Sequence, residues 1–194
     1  MRIAIVKYNA GNTASVANAL SRLGVEAVIT DEAEVLIAAD KVIFPGVGEA
    51  SSAMNHLRKR GLAEIIKSLR QPVLGICLGM QLLCASSEEN GADCLGVLPY
   101  TVRRFNGDGL KLLHTGWNKV SDLRSPLFDG IAEGEHFYFV HGYFVKSGKD
   151  TTATCVYGET FSAALQRENF YAVQFHPEKS GVVGGRVLEN FLTL

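Results

Sequence analysis

The sequence is short of the features that mark nucleic-acid-binding, membrane or secreted proteins. Its 194 residues carry 19 basic and 20 acidic side chains, for a net charge of −1. So even a balance provides no broad basic surface for nucleic acid or an anionic membrane. No apolar run approaches the ~20 residues that a membrane span needs. The opening MRIAIVKYNAG has no charged region followed by a long apolar stretch, so no secretory signal is expected. The expectation is a cytoplasmic protein whose four cysteines, Cys77, Cys84, Cys94 and Cys155, stay reduced. No pair of them stands as C-x-x-C, which argues against a zinc cage. No metal or cofactor is expected. Internal repeats, low-complexity tracts and linkers are missing too. At roughly 150 residues per domain, the expectation is one domain over 1–194.

What is present is a regular alternation. Strand-like runs lie at 2–6, 26–30, 41–44 and 72–76. Between them fall helical spacings: Val16, Leu20 and Leu23, then Met54 and Leu57, then Leu62, Ile65, Ile66 and Leu69. Asn12 or Thr13 can cap the first helix and Gly24 can end it. A further helix follows Cys77, carrying Leu78, Leu82 and Leu83. This βαβαβαβα order predicts an α/β fold, a mainly parallel sheet with helices on both faces. Functional groups should then gather beyond the carboxyl ends of the strands. The last third changes character. Strand-like runs at 137–141, 152–157, 162–166 and 170–175 follow at short intervals, and 185–194 reads as a closing helix.

The stretch PVLGICLGMQLL sets Cys77 between Gly75 and Gly79, where a strand stops and a helix starts. Glycines on both sides permit a sharp turn, as in a nucleophile elbow with sulfur in place of oxygen. The helix start favours a thiolate, the nucleophilic form. The backbone N–H of Leu78 would face the same space and could stabilise an oxyanion. Cys84, Cys94 and Cys155 lack such flanks and read as core residues.

A nucleophilic thiol needs a base. His176, in VQFHPEKSG, closes a strand at its carboxyl edge, and Glu178 follows two residues later. A carboxylate there can hold one imidazole nitrogen and leave the other for the thiol. His56 lies on a helix among charged residues, and His114 and His136 fall in loop-like stretches. His141, at the end of FYFVH, is the rival base, without an orienting carboxylate. The P-G-V-G stretch at 45–48 begins a dinucleotide fingerprint but has Ser51 at the third glycine position. A turn that donates amides explains it better, and its two glycines let the peptide between them rotate.

P-G-V-G at 45–48, G-I-C-L-G-M-Q at 75–81 and H-P-E at 176–178, in that order, resemble the class I (triad) glutamine amidotransferases along the whole chain. NAGNTASV, HTGWN at 114–118, FYFVHGY at 137–143 and NFYAVQFHPEKSG are similar to the family's glutaminase subunits of histidine biosynthesis. The resemblance implies a flavodoxin-like core and L-glutamine as substrate. It implies Cys77 as nucleophile, His176 as base and Glu178 as its orienter. Oxyanion donors would be Leu78 and either Val47 or Gly48. Gln81, Glu89 and the backbone around His141, Gly142 and Tyr143 would hold the substrate, with Glu89 at the α-ammonium. A separate partner, a (βα)8-barrel cyclase, would receive the ammonia. Asn12, Trp117 (in a polar loop) and Lys179 would face it.

Two positions depart from the family. Gly142 stands where serine or threonine is more frequent, and Lys7 where an acidic residue is frequent. The rivals are glutaminase subunits serving anthranilate, aminodeoxychorismate, guanylate or pyridoxal phosphate synthesis. Further off stand a free-standing thiol hydrolase and a doubly wound binding module with a merely structural Cys77.

Overall fold

The computed structural model describes residues 1–106 and 111–194. The chain runs β1 (Ile3–Val6), α1 (Thr13–Arg22), β2 (Ala27–Thr30), α2 (Ala33–Ala38), β3 (Lys41–Gly46), α3 (Ala50–Lys59), α4 (Leu62–Ser68), β4 (Val73–Cys77) and α5 (Leu78–Leu83). It continues through β5 (Cys84–Ser87), β6 (Ala92–Asp93), β7 (Leu98–Arg104), β8 (His114–Ser121), β9 (His136–His141) and β10 (Tyr143–Val145). It closes with β11 (Thr151–Tyr157), β12 (Glu159–Arg167), β13 (Phe170–Val173) and α6 (Gly181–Thr193).

One sheet has the order β2-β1-β3-β4-β13-β12-β11-β8-β9. Its first five strands are parallel and its last four antiparallel. The parallel half has the flavodoxin-like order, with the chain reversing direction between β1 and β3. Strand periodicity divides its side chains between two cores. Ala4, Val6, Val42, Phe44 and Val73 pack under α2 to α5 with Leu36, Met54, Leu57 and Ile66. Ile3, Ile5, Ile43, Leu74 and Ile76 pack under α1 and α6 with Val16, Leu20, Val187 and Phe191. The parallel strands are therefore covered on both faces, which is why they read as unbroken apolar runs.

Sequence periodicity places the four early strands and the late ones, but it misses several elements. A second, four-stranded sheet of order β10-β7-β5-β6 escapes it, because β5, β6 and β10 are two to four residues long and the seven-residue β7, LPYTVRR, is mostly exposed. His114 and Trp117, expected in loops, both lie in the eight-residue strand β8; His136, expected in a loop, opens β9. These residues alternate faces in HTGWNKVS, but its polar face reads as a loop because it is exposed. β13 also ends at Val173, so His176 stands three residues past the strand rather than on its last residue.

Candidate active site

β4 ends at Cys77 and α5 begins at Leu78, with nothing between. Cys77 takes φ 53°, ψ −109°. Such a conformation costs a residue with a side chain about 1–3 kcal/mol and persists only where its surroundings impose it. Here sterics impose it. A Cβ on Gly79 would stand 1.7 Å from the carbonyl oxygen of Phe44. One on Gly75 would stand 2.8 Å from Leu83 Cδ1 and 3.0 Å from the Met80 nitrogen. The two glycines thus let α5 press directly onto β3 and β4. Register sets Gly46 opposite Cys77, which brings the 45–48 loop beside the sulfur. Gly48 holds φ 112°, open to glycine and strained for other residues.

His176 is strapped from several sides. Its N–H donates to the Tyr138 carbonyl at 2.9 Å. Its carbonyl accepts from Ser180 Oγ at 2.7 Å, and Ser180 Oγ accepts the Tyr138 N–H at 3.0 Å. Pro177 opens a single 3-10 turn to Lys179. A Cβ on Gly184 would lie 2.1 Å from the Pro177 carbonyl oxygen, so only glycine lets α6 start against that turn.

The His176 ring and the Glu178 carboxylate are buried, with Nδ1 and Oε1 2.7 Å apart. Asn12 Nδ2 donates to the same Oε1 at 2.5 Å. A carboxylate only accepts, so Nδ1 carries a hydrogen and Nε2 is the nitrogen left to exchange a proton with a thiol. Nε2 and Glu178 Oε2 make no hydrogen bond among the described residues. Burial pulls the His176 pKa down. The Cys77 sulfur and the Glu178 carboxylate, which favour the charged ring, outweigh it and raise the imidazole to about 10.

In front of Cys77 lies a cleft of about 400 Å³, lined by Val47, Gly48, Cys77, Leu78, Gln81, Glu89, Leu113, Val140, His141, Gly142 and Tyr143. It gathers every residue expected at the oxyanion and the substrate. Gln81 Nε2 donates to the Tyr143 carbonyl and to Gln174 Oε1, each at 3.0 Å. Both amide hydrogens are spent, so only Oε1 remains for a ligand. Glu89 accepts the Ala50 N–H at 2.7 Å. Burial, seconded by the charge of Glu49, raises its carboxyl pKa. His141 uses both nitrogens, Nδ1 with the Tyr143 carbonyl at 2.7 Å and Nε2 with His114 Nδ1 at 3.0 Å. It has no lone pair left for a thiol proton. A Cβ on Gly142 would stand 3.2 Å from the Leu112 carbonyl oxygen, so a larger side chain there would press on that segment.

Asn12, Trp117 and Lys179 lie outside the cleft. Trp117 sits on β8, 55% exposed, with its ring edge-to-face on Tyr138 at 6.1 Å. Lys179 is exposed at the end of the histidine turn. Asn12 stands at the start of α1, but its side chain makes no cap bond and reaches Glu178 instead. Nothing in the structure explains the lysine at position 7. Burial pushes the Cys94 thiol up to about 11 and the Cys155 thiol up to about 12, and raises that of Cys84. All three stay protonated, as suits core thiols.

Four neighbours of the site are given no role by the sequence motifs: Gln174, Ser180, Gly184 and Tyr8. Gln174 carries a usable signal, an amide at the end of an apolar run. It is fully buried, with Nε2 3.7 Å from Cys77 Sγ. Tyr8, packed on Phe44 with ring centroids 5.3 Å apart, carries none.

Comparison with known proteins gives the chain a family. The glutamine amidotransferase class-I family matches residues 4–194. The chain is 57% identical to the imidazole glycerol phosphate synthase subunit HisH of Bacteroides fragilis strain YCH46, with both chains covered in full. It is 47% identical to the subunit of the same name from Escherichia coli K12, again with full coverage of both. Among solved structures it is similar to a putative GMP synthase protein from Thermoplasma acidophilum, with TM-score 0.77 and 21% identity over 100% of this chain and 93% of that one. It is also similar to PurLQS from Thermotoga maritima, with TM-score 0.74 and 19% identity over 99% and 97% of the two chains. At such identities the structural likeness speaks for the fold alone.

Proposed function

This chain belongs to the class-I glutamine amidotransferase family, and we propose that it hydrolyses L-glutamine to glutamate and ammonia through a thioester on Cys77. Its function is that of the glutaminase subunit of imidazole glycerol phosphate synthase, an enzyme of histidine biosynthesis. The observation that carries the chemistry is the thiol on a strained elbow beside a buried His176–Glu178 pair bonded at 2.7 Å.

In this reading the Cys77 sulfur attacks the side-chain amide carbon, and His176 Nε2 takes the thiol proton. His176 returns it to the leaving nitrogen, the carbon–nitrogen bond breaks and ammonia departs. Water, deprotonated by the same Nε2, then cleaves the thioester to glutamate and restores the thiol. Glu178, accepting from Nδ1, fixes the tautomer and stabilises the imidazolium. The Leu78 N–H and an amide at Val47 or Gly48 hold the oxyanion; losing one such donor costs about 10²–10³ in rate. Glu89 takes the α-ammonium. Gln81 offers Oε1, and so accepts from the substrate rather than donating to it. Backbone groups at His141, Gly142 and Tyr143 hold the amino-acid end.

The relatives are named as subunits of a synthase, which implies a partner. We assign that place to the (βα)8-barrel cyclase, which would turn PRFAR and ammonia into imidazole glycerol phosphate and AICAR. Exposed Trp117 and Lys179 are the contacts proposed for its face; Asn12 would reach it from the α1 loop, beside its bond to Glu178. The proposed compartment is the cytoplasm. Among the described residues no helix is long and apolar enough to cross a membrane.

The test is glutamate release from glutamine in four arms: the chain alone, with the purified cyclase, with cyclase plus its ribonucleotide ligand, and the last repeated with Cys77→Ala. Turnover that needs the liganded cyclase and vanishes with Cys77→Ala supports chemistry and partner together. Full turnover by the chain alone would keep the thiol chemistry and remove the cyclase from its control. Turnover that survives Cys77→Ala would overturn the mechanism.

A further inference from the structure

We infer that Gln174 takes part in the reaction as a hydrogen-bond donor to the nucleophile, its amide N–H aimed at Cys77 Sγ by a chain of bonds anchored on one backbone carbonyl. The inference rests on the reading of Cys77 as nucleophile and adds a residue to it.

The polarity of the chain follows from its anchor. The Tyr143 carbonyl can only accept, so the Gln81 atom 3.0 Å from it is the amide nitrogen. That nitrogen's second hydrogen points to Gln174, 3.0 Å away, so the Gln174 atom it meets is the oxygen. The other end of the Gln174 amide, 3.7 Å from Cys77 Sγ, is then the nitrogen, and it presents N–H to the sulfur. His141 Nδ1 occupies the second lone pair of the Tyr143 carbonyl at 2.7 Å and keeps it from turning. Gln174 and Gln81 are buried, which leaves water no part in setting either amide.

The sulfur's other polar neighbour on this side is the Val140 carbonyl at 3.8 Å, an acceptor. It can receive the thiol proton but opposes negative charge on sulfur. The Gln174 N–H does the reverse. A thiol is a weak acceptor, but as its proton passes to His176 the contact becomes charge-assisted and strengthens. Gln174 therefore favours the thiolate and fixes the sulfur between the cleft and His176.

The experiment follows alkylation of Cys77 by iodoacetamide, read by mass spectrometry across pH, on the full chain and on its Gln174→Met and Gln81→Met variants. Methionine keeps the length of the side chain and removes the donor. For Gln174→Met, alkylation at neutral pH is expected to slow about tenfold (about 1.4 kcal/mol), with the profile displaced to higher pH. Gln81→Met frees the Gln174 amide to turn, and the displacement is expected in the same direction but smaller. Melting temperature is recorded for each variant. If Gln174→Met does not fold, Gln81→Met decides. A folded variant whose alkylation profile matches the unmodified chain overturns the inference, because mere packing would lower stability without moving that profile. Glutamate release by Cys77→Ala, run in parallel with the liganded cyclase, separates the two ideas. Activity surviving there would sink Cys77 as nucleophile, whatever Gln174 does.

Discussion

Acid should unfold this protein early, and two histidines outside the proposed chemistry are the reason. Asn118 Nδ2 donates to the Val156 carbonyl at 3.0 Å and to His114 Nε2 at 3.2 Å. His114 Nδ1 meets His141 Nε2 at 3.0 Å, and His141 Nδ1 meets the Tyr143 carbonyl at 2.7 Å. The carbonyl fixes the hydrogen on His141 Nδ1, which makes its Nε2 the acceptor and His114 Nδ1 the donor. Every nitrogen is then used, and a proton added to either ring has no acceptor. His114 is also stacked on Tyr157 and Phe139, at 4.1 and 4.8 Å between centroids. Burial pushes its pKa down to about 4. Burial, aided by the charge of His114 and His176, outweighs the bond to Tyr143 and takes His141 down to about 3.

A histidine whose pKa is depressed by folding contributes fully above its unfolded value, near 6.5, and loses that contribution as pH falls towards the folded value. At pH 5 both rings remain neutral in the folded chain while both are charged in the unfolded one. Each then costs about 1.5 units × 1.36, or about 2 kcal/mol, relative to pH 7.5, and the pair costs about 4 kcal/mol. Because pH 5 lies above both folded values, the sum does not depend on their exact size. His176 works the other way. Its folded pKa is raised, so its contribution is complete below 6.5 and fades towards 10, and acidification from pH 7.5 returns about 1 kcal/mol. Glu89, also raised, adds a little in the same direction at the acid end. The net loss is about 3 kcal/mol, against a typical total of about 5–15. Urea unfolding at pH 7.5 and 5 measures it. A double variant, His114→Gln with His141→Gln, should be weaker at pH 7.5 but lose less than about 1 kcal/mol on acidification. Equal stability of the unmodified chain at both pH values, or an undiminished loss in the double variant, would refute the tautomer chain.

Three further perturbations follow from the site. Gly79→Ala drives a methyl into the Phe44 carbonyl and should cost more than about 3 kcal/mol in urea unfolding, abolishing glutamine turnover although Cys77 is untouched; near-normal activity would mean the elbow is not held by this contact. Tyr8→Phe removes a buried hydroxyl that finds no partner among the described residues, and should raise stability by about 1 kcal/mol, or about 2–4 °C in melting temperature; a loss of stability would count against it. Asn12→Ala takes one of two donors from Glu178 Oε1 and should lower kcat with the liganded cyclase about tenfold while leaving helix content unchanged, since Asn12 makes no cap bond; an unchanged kcat, or loss of helix, would contradict this.

Much of the parallel half is legible in the sequence because burial on both faces makes its strands continuous apolar runs, and the helices between them show a 3.6-residue period. Cys77 is legible for a steric reason: a side chain at 75 or 79 would collide with backbone or core. His176 and Glu178 are legible because they are two residues apart, so one turn sets their geometry. Local constraint leaves a local trace. β8 shows the opposite case. His114 and Trp117 alternate inward and outward, but with polar residues between them the alternation looks like a loop until β9 pairs with it.

The role argued for Gln174 lies beyond any local pattern. Gln81 is 62 residues from Tyr143 and 93 from Gln174, and Gln174 is 97 from Cys77. A glutamine amide has an acceptor end and a donor end that the sequence cannot tell apart. Only the Tyr143 carbonyl decides which end meets the sulfur. That carbonyl stands where it does because β10 pairs with β7 in the small sheet that the periodicity misses. The part of the fold hardest to read is therefore the part that sets the polarity at the thiol. A sequence in which every motif residue is kept but the β7–β10 pairing is disturbed would retain Cys77, His176 and Glu178 and lose the anchor that aims Gln174.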